Sequence, residues 1–153
     1  GTRLQSGIKK PTRNPMVQNG QELIASIAHV VTAGQPLYLY YELYDAATVG
    51  GAPPPPTGAA RARGRRAVVA AAPAAAAVRV LSNVVFFRGQ KRVYETALVE
   101  AVTLSAPERG ATTFRLDVPT TDLPPGLYTC QVNVIDDVAG TFAFPRLAVL
   151  VKK

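Results

Sequence analysis

The stretch Leu123-Pro124-Pro125-Gly126-Leu127-Tyr128-Thr129-Cys130-Gln131-Val132-Asn133-Val134 decides how this chain folds. Pro124, Pro125 and Gly126 read as a turn. The residues after it alternate, with Tyr128, Cys130, Val132 and Val134 on one face, which is the period of a strand. A tyrosine two residues ahead of a cysteine, just past a corner, is the local pattern of a tyrosine corner. In that arrangement the phenol hydroxyl bonds back to the upstream backbone and pins the turn.

Working outward, the same alternation recurs. Residues 112–118 set Phe114, Leu116 and Val118 against Thr113, Arg115 and Asp117. Residues 37–45 set Leu37, Leu39, Tyr41 and Leu43 against Tyr38, Tyr40, Glu42 and Tyr44. Residues 78–88 are apolar on both faces at Val84-Val85-Phe86-Phe87, which predicts a central strand. Gly89-Gln90 turns the chain into a strand from residue 91 to about 99, running on toward 104. Residues 22–31 form the first strand, with His29 on it. Residues 141–151 form the last, with Pro145 inside. Proline lacks the ladder donor, so that strand is expected at an edge or with a bulge. Seven strands, turn signals between them and no amphipathic helix predict an all-β chain. The expected fold is an immunoglobulin-like or fibronectin III-like Greek-key β-sandwich.

The 153 residues suffice for one domain with appendages, and 48% are apolar. No apolar run is long enough to span a bilayer, since the longest, residues 67–78, is broken by Pro73. No secretory leader is read at the N-terminus, and Gly1-Thr2-Arg3 reads as the start of a fragment or a processed product. The single cysteine rules out an intrachain disulfide, and Cys130 reads as a small buried apolar residue.

The net charge of +7 is unevenly placed. Arg3, Lys9, Lys10 and Arg13 lie in a basic arm over residues 1–21, which Pro11, Pro15 and Asn19-Gly20 keep extended. Arg61, Arg63, Arg65 and Arg66 lie in a low-complexity insertion over residues 46–77, with 14 alanines, five prolines and four glycines. Pro53 to Pro56 predict polyproline II, and the alanines of 67–77 favour helix. The sandwich domain is assigned to 22–153 with this insertion inside it.

Reactive chemistry is thin. One histidine and one cysteine, about 100 positions apart, make neither a metal cluster nor a nucleophile–base pair. Asp136-Asp137 reads as a turn pair. No phosphate-binding glycine loop occurs. These absences predict no catalytic residue, no cofactor and no metal. The arginines at 61, 63, 65 and 66 lack interleaved aromatics, so they read as a solvated loop, with weak contact to anionic envelope polymers as the minor reading and no specific nucleic acid. Tyr38, Tyr40 and Tyr44, on a strand face whose successive alternate positions lie about 7 Å apart, are the candidate interaction surface, since tyrosine combines area with a hydroxyl. Leu4, Ser6 and Ile8, on one side of the arm, are a candidate donor strand for a neighbouring molecule.

Five segments carry a resemblance. They are Ser6-Gly7-Ile8-Lys9-Lys10; Asn14-Pro15 with Val17-Gln18-Asn19-Gly20-Gln21-Glu22-Leu23-Ile24; Leu37-Tyr38-Leu39-Tyr40-Tyr41-Glu42; Phe86-Phe87-Arg88-Gly89; and Pro125-Gly126-Leu127-Tyr128-Thr129-Cys130-Gln131-Val132. Together they resemble the C-terminal region of von Willebrand factor A-related proteins of Acidobacteria, over most of the chain except 46–77. The resemblance implies an extracellular or cell-envelope module that follows a factor A domain. The Asp-x-Ser-x-Ser metal motif of such a domain is absent here, so no metal adhesion site is carried over. The expected function is a non-enzymatic structural or interaction module in protein contact or adhesion. The alternative is a filament subunit that self-assembles by strand addition through its arm.

Overall fold

The computed structural model describes residues 1, 3–6, 14, 16–18, 20–50 and 77–153. Twelve strands run through them, and the helical elements among these residues are two 3-10 turns, Pro107–Arg109 and Thr120–Asp122. The chain is all-β.

The strand that follows the proline corner, β10 (Gly126–Asp136), lies inside the larger sheet. Its alternation becomes burial: Tyr128, Cys130, Val132 and Val134 are buried, while Leu127 and Ile135 are exposed. On one edge it pairs antiparallel with β6 (Ala77–Arg88). On the other it pairs with β11 (Thr141–Ala143) and then with β12 (Arg146–Lys152). The far edge of β6 carries β7 (Lys91–Glu95) and β8 (Val99–Thr103) in succession. A seventh strand, β4 (Val30–Thr32), adds to β12 in parallel. Being paired on both edges, β6 is central, as its two apolar faces require.

A second sheet pairs β5 (Pro36–Tyr44) antiparallel with β9 (Ala111–Pro119). Leu37, Phe114, Leu116 and Val118 from this pair join Val80, Val84, Phe86, Tyr128, Cys130, Val132, Val149 and Val151 of the larger sheet in one buried cluster. Two layers thus enclose one apolar interior, consistent with a β-sandwich. Each fully buried Val, Leu or Phe contributes about 1.5–3 kcal/mol. Most polar groups inside are paired, because an unmet one is costly; the Thr112 hydroxyl is the exception among the described residues. Tyr41 stacks on Phe114 at 5.3 Å, and its hydroxyl lies 2.6 Å from Ser82 Oγ. Ser82 spends its one hydroxyl proton on the Asn133 carbonyl, so Tyr41 is the donor to Ser82. Asp136, also buried, accepts the backbone N–H groups of Val138, Ala139 and Ala47, tying the turn after β10 to the end of β5.

Three expected strands are each split. Residues 22–31 divide into β3 (Gln21–Ile24) and β4, which belong to different sheets. The five residues between them carry the crossing. His29 sits there, exposed, with φ +49, off any strand. The strand from 91 divides into β7 and β8, and 141–151 divides at Pro145 into β11 and β12. The carbonyl of Pro145 accepts Val132 N–H at the break. The missing proline donor falls between β11, which pairs with β10 alone and so lies at an edge as expected, and β12, which β4 covers only at Leu150–Lys152.

The N-terminal segment also departs from expectation. β1 (Arg3–Ser6) and β2 (Val17–Gln18) flank β3 in a three-stranded antiparallel sheet. Leu4 pairs with Leu23 and Ser6 with Gln21. The arm is extended, but this part of it has a partner in its own chain, because Gln21–Ile24 leaves the main sheets and offers two free edges.

The insertion leaves and re-enters the fold at one place. Thr48 and Val78 form an antiparallel bridge, and Val49 N–H donates to Ala77 carbonyl at 2.7 Å. Ala77 itself is a strand residue, not helical. The polyproline run and the rest of the alanine segment lie outside the described residues.

Candidate interaction face

The inward side of β5 is committed to the core through Leu37, Leu39, Tyr41 and Leu43. Strand alternation then places Tyr38, Tyr40, Glu42 and Tyr44 on the outer side. Register with β9 sets Tyr38 opposite Asp117, Tyr40 opposite Arg115, Glu42 opposite Thr113 and Tyr44 opposite Ala111.

Glu42 organises this face. The hydroxyls of Tyr40 and Tyr44 both donate to its carboxylate. Arg109, from the 3-10 turn before β9, places Nη1 3.1 Å from each carboxylate oxygen. The Glu42 side chain is only 9% exposed under these three donors. Hydrogen bonds from Tyr40 and then Tyr44 hold its carboxyl below the ordinary value of 4.5. Burial, and then the adjacent Glu42, pushes the Tyr40 phenol upward, so it stays a protonated donor. A carboxylate held this way is a weak base. Its role is to fix two tyrosines and an arginine in place.

Tyr44 remains 54% exposed, while Tyr38 and Tyr40 are half-buried. Tyr38 stands apart from the cluster. Its backbone exchanges two hydrogen bonds with Gly1, at 2.7 and 2.8 Å. The three tyrosines thus share a strand face, but only Tyr40 and Tyr44 converge on a common atom group. Sequence reading passed over Glu42, although its position two residues from each tyrosine was visible. Arg109 is 67 positions from Glu42, and nothing local points to it.

The other expected residues lie elsewhere. Tyr128 is 2% exposed and its hydroxyl donates to the Pro124 carbonyl. Cys130 is fully buried, and burial pushes its thiol up to about 12. Leu4 is half-buried and Ser6 exposed in β1. Ile8, Arg61, Arg63, Arg65 and Arg66 lie outside the described residues. Among the described residues no three His, Cys, Asp or Glu side chains gather to hold a metal ion, and no helix is long and apolar enough to cross a membrane. Compared with protein-family models, curated proteins and solved structures, the chain matches none.

Proposed function

We propose that this chain is an immunoglobulin-like interaction module that contacts a protein partner through the outer face of β5 and β9. The carrying observation is the carboxylate of Glu42, which holds Tyr40, Tyr44 and Arg109 in one arrangement before any partner arrives. Tyrosine and arginine dominate binding hot spots, and side chains ordered in advance lose less entropy on association. The immunoglobulin-like assignment is supported by the Tyr128–Pro124 corner two residues before Cys130. The envelope or extracellular location rests on the resemblance to factor A-related proteins. No observation favours strand donation by Arg3–Ser6, which is paired with Gln21–Ile24 at home.

A photo-reactive benzophenone side chain at position 44 tests this, with position 102 on β8 as the control, since Val102 is as exposed. In cells of the source organism a discrete protein adduct is expected from 44 and not from 102. No adduct at 44, or the same adducts at both positions, overturns the proposal.

A further inference from the structure

We propose that the outer face of the seven-stranded sheet carries a binding site for an acidic sugar unit, built on Phe87, Thr129 and Arg146. Alternation in β10 turns Thr129, Gln131 and Asn133 away from the core that Tyr128, Cys130 and Val132 enter. Register brings Phe87 beside Thr129 and Arg146 beside Gln131. A depression of about 290 Å³ opens there, lined by Phe87, Gly89, Gln90, Thr129 and Arg146. That volume falls just under the range of drug-sized ligand sites, about 300 to 1,000 Å³, and suits one small unit.

The side chains next to it are tied into one ladder. Arg146 Nε donates to Gln131 Oε1 at 2.7 Å, Gln131 Nε2 to Asn133 Oδ1 at 2.7 Å, and Asn133 Nδ2 to Asn83 Oδ1 at 2.8 Å. Asn83 Nδ2 donates to Glu95 Oε1 at 2.7 Å, and Arg92 Nη1 closes the line on Glu95 Oε2 at 2.7 Å. The ladder crosses β12, β10, β6 and β7. It fixes the orientation of Arg146, the ladder's one member that lines the depression, which a ligand would otherwise have to order.

The lining chemistry narrows the ligand. Phe87 offers an apolar ring to the C–H face of a pyranose. The Thr129 hydroxyl and Gln90 amide both donate and accept, as sugar hydroxyls do. Arg146 bonds through Nε alone, with no partner for Nη1 or Nη2 and no ion pair among the described residues, and all ten acidic residues are described. A guanidinium in that state suits a carboxylate by a two-pronged bond.

The test is an amide and arginine-Nε NMR titration of the full chain with trigalacturonate, with its neutral galactose trimer and inorganic phosphate as parallel arms. Saturable shifts are expected at Phe87, Gly89, Gln90, Thr129 and Arg146 with the uronate alone. Arg146→Gln should keep the spectrum of a folded protein and weaken binding at least about tenfold. Shifts centred elsewhere, in particular on Arg61, Arg63, Arg65 and Arg66, overturn the proposal. So do no shifts, an unchanged affinity in Arg146→Gln, or equal binding of phosphate or the neutral trimer.

Discussion

The phenol hydroxyl of Tyr128 donates to the carbonyl of Pro124, four residues upstream, while its ring meets Phe86 edge-on at 6.4 Å. One side chain therefore ties the Pro124–Gly126 corner to the middle of the core. Tyr128→Phe keeps the ring and deletes the bond, leaving a carbonyl unmet beside a buried ring. The expected cost is about 1–3 kcal/mol by urea unfolding. A loss of only a few tenths would mean that the corner does not depend on the hydroxyl.

Thr112 is 1% exposed on β9, and its hydroxyl has no hydrogen-bond partner among the described residues. Thr112→Val replaces that hydroxyl with a methyl of similar size. The substitution is expected to stabilise the fold by about 1 kcal/mol, visible as a rise in Tm of about 2–4 °C. Destabilisation by the same amount would show that the hydroxyl is satisfied in solution.

Glu42 makes stability depend on pH in one direction. Its folded carboxyl lies below the ordinary value of 4.5, so the unfolded chain binds the proton more readily. The contribution is complete above that value and is lost as pH falls through the lower, folded one. Urea midpoints taken from pH 6 down to pH 3 should fall for the native chain and fall less for Glu42→Gln. Parallel curves for the two proteins would contradict the cluster.

Cys130 is fully buried, and its thiol is pushed up to about 12 by burial. The reactive species is the thiolate, so the folded protein should resist thiol reagents at pH 8 and react on unfolding. Labelling rates across a urea series should follow the global transition. Rapid modification of the native protein would place Cys130 at the surface.

Because Thr48 and Val78 are bridged, the segment between them can be shortened without moving either strand. Replacing residues 51–76 with a three-residue Gly-Ser link should leave a single cooperative transition, since loop length affects closure only logarithmically. Loss of cooperativity would show that the segment supplies core.

Much of the architecture was legible. The alternation at 37–45, 112–118 and 126–135 became β5, β9 and β10 with the expected faces inward, and 78–88 became the central β6. Each is a local pattern, carried by which of two faces each residue occupies. The breaks were less visible. Pro145 announced a defect but not which strand it would sit in, and nothing between Ile24 and Val30 announced a change of sheet.

On its own, then, the sequence determined that the described residues are all-β, which faces of the long strands are apolar, and where the tyrosine of the corner stands. Those properties depend on neighbours two to four positions away. Only the tertiary structure decided that Arg109 reaches Glu42, that Asp136 holds Ala47, that Arg3–Ser6 pairs with Gln21–Ile24, and that a polar ladder runs from Arg146 to Glu95. Most of these contacts join residues far apart in the chain, and all of them depend on strand order and register. Periodicity selects a face for each residue but is silent on which strand will lie beside it.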